Sequence, residues 1–372
     1  MLAYIIRRVL LIVPTLFGIM LLNFVIMQFA PGGPIEQVLA QIQGRGVSAT
    51  QRLSGAGGET VGGQAGSQAS AQASSGEASR YRGARGLDPQ LIKDLEKRFG
   101  FDKPAPERFL LMMKQFATFD FGDSFFHGRR VVDLVIEKLP VSISLGLWTT
   151  LLTYLICIPL GIAKAVRDGT RFDLWTSTVI IVGNAIPSFL FAILLIVLFA
   201  GGSYWQWFPL RGLVSENWSS LPWPARIADY FWHLALPLAA LVVGSFASLT
   251  MLTKNSFLDQ INQQYVVTAR AKGLTERRVL YGHVFRNAML IVIAGFPGAL
   301  ISILFTSALL IEIIFSLDGL GLLGYESVIN RDYPIVFATT YVFSLLGLVL
   351  NLVGDLTYML VDPRIDFESR QV

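Results

Sequence analysis

Cysteine, histidine and charge are all scarce in this 372-residue chain. The single cysteine, Cys157, excludes a disulfide framework and a multi-cysteine metal centre, and its apolar surroundings read as inert packing. His127, His233 and His283 are too scattered to suggest a metal site. Charged residues make up only 15% of the chain, where a soluble domain carries roughly a quarter. Catalytic signatures are missing too. No G-x-x-x-x-G-K-S/T phosphate loop occurs, and the dipeptide Gly-Lys is absent altogether. Neither H-E-x-x-H nor G-x-S-x-G is found, so no catalytic residue, metal or bound cofactor is expected on this chain.

What is present is apolar. Hydrophobic residues form 53% of the sequence and the mean hydropathy is +0.55. A helix needs about 20 apolar residues to cross hydrocarbon. Six segments qualify, at 9–30, 139–163, 174–200, 234–253, 288–315 and 335–361. The expected fold is therefore an all-α integral membrane protein with about six transmembrane helices. Only Glu312 and Asp355 are charged within those spans. Pro14, Pro159, Pro187, Pro237 and Pro297 lie inside five of them, as membrane helices tolerate. Arg7 and Arg8 precede the first span as they would a signal peptide. The span is too long for a signal core and no small-residue cleavage pattern follows, so it reads as a retained anchor.

Lys and Arg in short loops set the orientation. With the N-terminus in the cytoplasm, thirteen fall inside: Arg7, Arg8, Lys164, Arg167, Arg171, Lys254, Arg270, Lys272, Arg277, Arg278, Arg286, Arg364 and Arg370. Only Arg211, Arg226 and Arg331 fall in the short outer loops 201–233 and 316–334. Both termini are then cytoplasmic. The long segment 31–138 lies outside despite its basic residues, because long segments translocate largely regardless of charge. Trp205, Trp207, Trp218, Trp223 and Trp232, with Tyr204 and Tyr230, give the outer segment 203–232 the character of a membrane–water interface. The basic residues gather on no polar domain, so no nucleic-acid partner is expected despite a pI near 9.2.

The organisation is read as three parts: residues 1–30, the external segment 31–138, and a five-helix core 139–372 with a cytoplasmic loop at 254–287. Residues 44–86 are dominated by Gly, Ser, Ala and Gln and have the composition of a flexible tether. After it, Leu91, Ile92, Leu95 and Phe99 share a helical face, with Asp88 and Pro89 suited to its N-cap and first position.

The segment YVVTARAKGLTERRVLYGHVFRNA, residues 265–288, is basic and punctuated by small residues. Ala269 and Ala271 would permit close approach, and Gly273 a turn with positive φ between two short helices. Thr275 is suited to cap the second, in which Val279, Leu280 and Val284 form an apolar face. Arg270, Lys272, Arg277 and Arg278 could meet acidic groups or lipid phosphates. On spacing alone, an ordinary positive-inside loop fits equally well.

This segment resembles the cytoplasmic "EAA" loop of ABC-importer permeases. Aligned on Gly273, Thr268 and Ala269 fall on its two alanines, while Val267 replaces the glutamate. His283, Phe285 and Arg286 replace its Ile, Leu and Pro. TARAKGL followed by H-x-x-R-N-A is similar to the peptide-transporting branch. So are IIRRVLLIVPTLFGI with APGGP, FGDSFFHGRRVVDLVIEKLPVSISLGL, IEIIFSLDGLGLLGYESVINRDYP and LVDPRIDF. The tether and the segment after it are most similar to family members linked to oligopeptides and microcin C. The resemblance implies a type I importer permease in the bacterial inner membrane. Its ATPase-coupling residues would be Thr268, Ala269, Arg270, Ala271, Lys272, Gly273, Leu274, His283, Arg286 and Asn287. Its partners would be a second homologous permease, two ABC ATPases carrying ATP and Mg, and a periplasmic peptide-binding protein.

Glu312 and Asp355 remain. Intramembrane carboxylates are functional candidates by default, but both lie near span ends, where pairing with a neighbouring helix or loop is the expected role. The alternatives are a proton-coupled transporter using those two carboxylates and an intramembrane enzyme, which lacks the convergent polar groups it would need.

Overall fold

The computed structural model describes residues 2–29, 33–36, 38, 90, 96–97, 101–202, 204–302 and 308–361. The tether at 44–86, the helix expected from Asp88 to Phe99 apart from isolated positions, and Arg364 and Arg370 lie outside the described residues.

Helices dominate. In chain order they are α1 (Leu2–Phe29), α2 (Ala105–Phe116), α3 (Val131–Val166), α4 (Arg171–Ala185), α5 (Ser188–Phe199) and α6 (Trp223–Ile261). There follow α7 (Gln264–Ala271), α8 (Glu276–Val279), α9 (Phe285–Ser302), α10 (Ala308–Ile314), α11 (Leu320–Asn330) and α12 (Tyr333–Val361). Among the described residues no strand forms, and one isolated backbone bridge joins Asp123 to Arg130. Among the described residues, five helical segments are long and apolar enough to cross a membrane, or six if a bent pair is counted as one broken span.

That pair corrects the expectation of a continuous span over 174–200. α4 and α5 meet at 92°, and the break falls at Ile186–Pro187. Pro187 pushes the preceding residue out of the helical region, and Ile186 accordingly sits at φ −87°, ψ 118°. Pro187 therefore ends one helix and begins the next, whereas Pro14, Pro140, Pro159, Pro237 and Pro297 are carried inside theirs.

Two compact units share the chain. One comprises residues 1–12, 138–322 and 345–372; the other comprises 13–137 and 323–344. The first is organised around α6, which packs against α4, α5, α9 and α10. At 39 residues and 1.5 Å per residue it is about 58 Å long, well beyond the roughly 30 Å of a hydrocarbon core. It takes in residues expected at both flanks: Trp223 to His233, assigned to the outer loop, and Lys254 to Ile261, assigned to the inner one. Its first half packs with Leu145, Ala192, Leu195, Ile311 and Phe315 through Leu234, Leu238 and Leu241. Its last turns join a second core of Ile162, Ala165, Val284, Ala288 and Val292 through Phe257.

Aromatic residues in and beside 204–232 pack on one another. Trp205 stacks on Phe199 at 5.4 Å and on Trp207 at 5.2 Å, Phe208 stacks on Trp232 at 4.5 Å, and the three Trp side chains stay exposed. The second unit is also built from rings. Phe109 meets Phe17 and Phe24, each at 5.3 Å, and Phe116 meets Phe121 at 4.8 Å and Tyr341 at 5.5 Å.

Where α3, α4 and α6 converge, a charge cluster fastens them. The Lys164 ammonium is fully buried; it lies 2.9 Å from the Asp173 carboxylate and donates to Thr176 Oγ1 at 2.8 Å and Ser177 Oγ at 2.7 Å. Lys254 on α6 reaches the other oxygen of Asp173 at 2.8 Å and Asp168 at 2.8 Å. Removing one partner of a buried pair leaves the other charge uncompensated, which costs about 3–5 kcal/mol. Asp173→Asn should therefore lower the melting midpoint of the purified chain sharply. Lys254→Met should cost less, since Lys164 still compensates Asp173 and Asp168 reaches solvent. Equal midpoints for Asp173→Asn and the parent chain would show that the cluster is not a fastening.

Candidate functional site

The basic segment forms a short helical hairpin at the end of α6. α7 stops at Ala271, and the chain reverses through Gly273 at φ +79°. The Gly273 N–H donates to Arg270 O at 2.9 Å and the Leu274 N–H to Ala269 O at 3.4 Å. This pair of bonds is a Schellman closure, which places a left-handed residue just past the helix end and suits glycine there. Leu274 packs against the core that Ala269 enters, supplying the apolar contact that accompanies such closures. Arg270 then spans the turn, donating to both carboxylate oxygens of Glu276 at 2.9 and 3.1 Å. Thr275 has the extended backbone of an N-cap, but its side chain makes no capping hydrogen bond. The cap expected from the sequence is positional only. Beyond α8 the backbone widens into a π-helical turn, Leu280–Val284, before α9.

Burial divides the hairpin into two faces. Val266, Ala269, Val279 and Val284 point into the chain's own core with Phe257 and Ala288. Ala269 is therefore used internally and is not on the free surface. The outward face carries Thr268, Arg270, Ala271, Lys272, Gly273, His283, Arg286 and Asn287, with Leu274 half-buried beside it. It also carries two large side chains, Val267 at 58% and Tyr281 at 55% exposure, that sequence reasoning did not count among the coupling residues, Val267 having been noted only as replacing the glutamate. Their signal was available: in a segment rich in Arg and Lys, each is a large apolar or aromatic residue out of phase with the buried positions. Tyr281, Arg277, Arg278 and Thr275 line a shallow depression of about 350 Å³.

The two carboxylates within the spans are both partnered. Glu312 on α10 is fully buried. It accepts from the Leu322 N–H at 2.7 Å and from Ser142 Oγ at 3.4 Å, while Ser142 Oγ accepts from the Leu320 N–H at 2.8 Å. The loop between α10 and α11 is thus folded onto the Glu312 side chain, with Lys138 paired to Asp318 on the loop itself. Gly319 and Gly321 allow this approach: a Cβ on Gly321 would lie 3.0 Å from Glu312 Oε2, and one on Gly319 would overlap the carboxylate. Asp355 accepts from Arg8 at 2.9 Å and from the Tyr4 hydroxyl at 2.9 Å, joining the start of α1 to the end of α12.

The described residues thus form a set of long apolar helices with a glycine-closed hairpin at the end of α6, and both carboxylates within the spans, Glu312 buried and Asp355 half-buried, are hydrogen-bonded within the chain. Residues 157–367 match the family described as "Binding-protein-dependent transport system inner membrane component", and the chain belongs to that family. It is an ABC transporter permease of the inner membrane, of the kind whose relatives carry peptide-type substrates. The chain is 65% identical, over all of both chains, to the peptidoglycan transport system permease protein YejB of Agrobacterium fabrum. It is 58% identical, over 99% of this chain and 100% of the other, to the inner membrane ABC transporter permease protein YejB of Escherichia coli O157:H7. An oligopeptide transport system permease protein, AppB of Bacillus subtilis, shares 33% identity over 99% of this chain and 100% of its own length.

The Glu312 clasp yields a graded expectation. Gly319→Ala should disrupt the α10–α11 loop and reduce the amount of folded chain in the membrane severalfold. Gly321→Ala, whose added carbon meets the carboxylate at 3.0 Å, should be milder. Membrane content measured by immunoblot, with thermal midpoint on purified protein, checks the order.

Proposed function

We propose that this chain is one permease of an ATP-driven importer that carries oligopeptides across the bacterial inner membrane, a range extending to peptide–nucleotide antibiotics such as microcin C. The observation that carries the proposal is the hairpin at 264–284, whose outward face is free of the chain's own core. Its ATPase-facing residues are proposed to be Thr268, Arg270, Ala271, Lys272, Gly273, Leu274, His283, Arg286 and Asn287, joined by Val267 and Tyr281. Ala269 supports them from within. A short helix with two protruding side chains is suited to a groove on a separate subunit, the helix-in-groove mode. The assembly would contain a second, homologous permease, two ABC ATPases holding ATP and Mg, and an external peptide-binding protein. Closure of the motors would rock the permeases as rigid bodies around the path between them. Both termini and the hairpin would be cytoplasmic, with 31–138 outside.

Peptide is the chemistry that unites this range with the relatives' names, since an oligopeptide and a peptidoglycan fragment both present short peptide chains. Proteoliposomes holding the complete complex should take up a labelled oligopeptide only with ATP inside the motors' compartment. Uptake that needs no ATP but follows a proton gradient would overturn the proposal.

Two further outcomes follow. In a Cys157→Ser background, Asp120→Cys should react with an impermeant thiol reagent from outside, and Thr275→Cys only from the cytoplasmic side. Reversed labelling would place the hairpin away from the ATPases. Val267→Asp and Tyr281→Ala change exposed side chains, and Gly273→Val forces a β-branched residue to positive φ. All three should insert normally yet lower uptake at least tenfold, with ATPase subunits lost on co-purification or hydrolysis no longer stimulated by loaded binding protein. Wild-type uptake in all three would reduce the hairpin to a positive-inside connection.

A further inference from the structure

Two cations stand beside the joint of α3, α4 and α6 without taking part in it. The joint itself is neutral, since Lys164 and Lys254 are matched by Asp173 and Asp168. Arg167 and Arg171 are both exposed, and no acidic side chain among the described residues pairs with either. The Arg167 guanidinium lies 5.2 Å from the Phe172 ring centre, and Arg171 is the first residue of α4. Thr170 turns its hydroxyl back to Arg167 O at 2.6 Å and does not cap α4. The positive end of the helix dipole therefore adds to the two guanidinium charges, while Asp173 in the same turn is spent on the lysines.

One turn further along α4 an apolar groove of about 360 Å³ opens. Trp175, Val179 and Gly183 follow Arg171 at four-residue intervals and so continue one stripe of the helix. Leu160 of α3 with Val243 and Phe246 of α6 supply facing walls. Gly183 leaves room there, because a Cβ at that position would meet only Val243, at 3.8 Å. The lining hydroxyl, Thr176 Oγ1, donates to Phe172 O at 2.7 Å and accepts from Lys164 at 2.8 Å. It has no bond to spare for a polar guest. Trp175 is 71% exposed and lies between the cations and the groove, as an aromatic ring does at the edge of a bilayer.

We propose that this stripe is a binding site for an anionic phospholipid. Its phosphate lies against Arg167 and Arg171, its glycerol backbone beside Trp175, and one acyl chain in the groove between α3, α4 and α6. From Trp175 to Gly183 is about 12 Å at the helical rise. That is within the roughly 15 Å of one leaflet's hydrocarbon at any tilt of α4. Basic pockets between membrane helices take anionic head groups in this way. A zwitterionic lipid brings its own cation and leaves the two arginines partly unmet. A helix of another subunit would have to fill the groove and also carry an acid to its mouth. An anionic phospholipid holds both parts in one molecule.

The test places the full-length chain, with the subunits that co-purify with it, in phosphatidylcholine nanodiscs. These contain a trace of phosphatidylglycerol bearing a diazirine on its acyl chain, or phosphatidylcholine bearing the same group. After illumination, mass spectrometry should find the phosphatidylglycerol probe on peptides covering 175–183 and 243–246. Its labelling there should exceed that by the phosphatidylcholine probe about tenfold, roughly threefold for each exposed cation. Both arginines are exposed, so their variants should fold. Arg171→Gln should lower the ratio about threefold, and Arg167→Gln combined with Arg171→Gln should bring the two probes within about twofold of each other. Gly183→Leu should reduce labelling by both probes; if that variant does not accumulate, the probe ratios in the parent chain and the arginine variants still decide. Equal labelling by the two probes in the parent chain, or an unchanged ratio in the double variant, would mean that bulk lipid merely wets the groove, and the site would be wrong. A groove that neither probe labels, with label appearing instead on a neighbouring subunit, would show that protein covers it and would equally overturn the proposal.

Discussion

The Asp173 carboxylate is the joint on which the membrane core depends. Removing an ion from water is costly, and the cost is recovered only when geometry and hydrogen bonding are both satisfied. At Asp173, Oδ2 accepts from Lys254 at 2.8 Å and from the Gly169 N–H at 3.3 Å, while Oδ1 is compensated by the Lys164 charge at 2.9 Å without a hydrogen bond. Each ligand comes from a different stretch of chain, so satisfying one carboxylate fixes the end of α3, the start of α4 and the lower part of α6 together. Because α6 packs against most of its unit, fixing α6 here sets the frame for α9, α10 and the hairpin. The cluster also explains how α4 and α5 can bend by 92° without losing their place: α4 is held by charge at its start and α5 by apolar packing through Ala192 and Leu195.

The parts of this architecture that local chemistry determines were legible in the sequence. Hydrocarbon demands length and apolarity, so the existence of the spans follows from composition. A reversal between two short helices demands positive φ, so Gly273 follows from residue type. What local chemistry does not determine was not legible. Pro187 looked like Pro159 and Pro237, yet those two are carried inside continuous helices while Pro187 ends one; the difference lies in what each neighbourhood packs against. Lys164 and Lys254 read as topology markers, because nothing in a linear sequence reveals that both converge on Asp173. Ala269 read as a contact for a partner, because smallness serves close approach inside a chain and outside it equally. Only the fold shows which side of the helix the small residue faces.

The same distinction reassigns the work within the candidate site. The Gly, Ala and buried Val positions shape the hairpin from inside, by closing the turn and seating it on Phe257 and Ala288. Under the proposed coupling role, the groups left to meet another protein are the exposed ones, Val267, Tyr281 and the surrounding basic residues. A substitution at Ala269 therefore confuses loss of the hairpin with loss of its partner, whereas one at Val267 separates them.

Rigidity is what the coupling role proposed for the hairpin would require. α7 follows α6 after a two-residue break, and α8 leads through the π-helical turn directly into α9. Arg270 and Glu276 cross-link the two arms on the exposed side, while Ser256 Oγ donates to Ala288 O at 2.5 Å, tying α6 to α9 at the hairpin's base. A force applied to the outward face cannot be absorbed by hinging at Gly273 alone, since the arms are joined both above and below it. It passes into α6 and α9, two long helices of one packed unit. A flexible basic loop of the same charge would bind a partner as well but would transmit nothing. Under the proposed coupling role, the packing beneath the hairpin, more than the charges on it, would make it a lever.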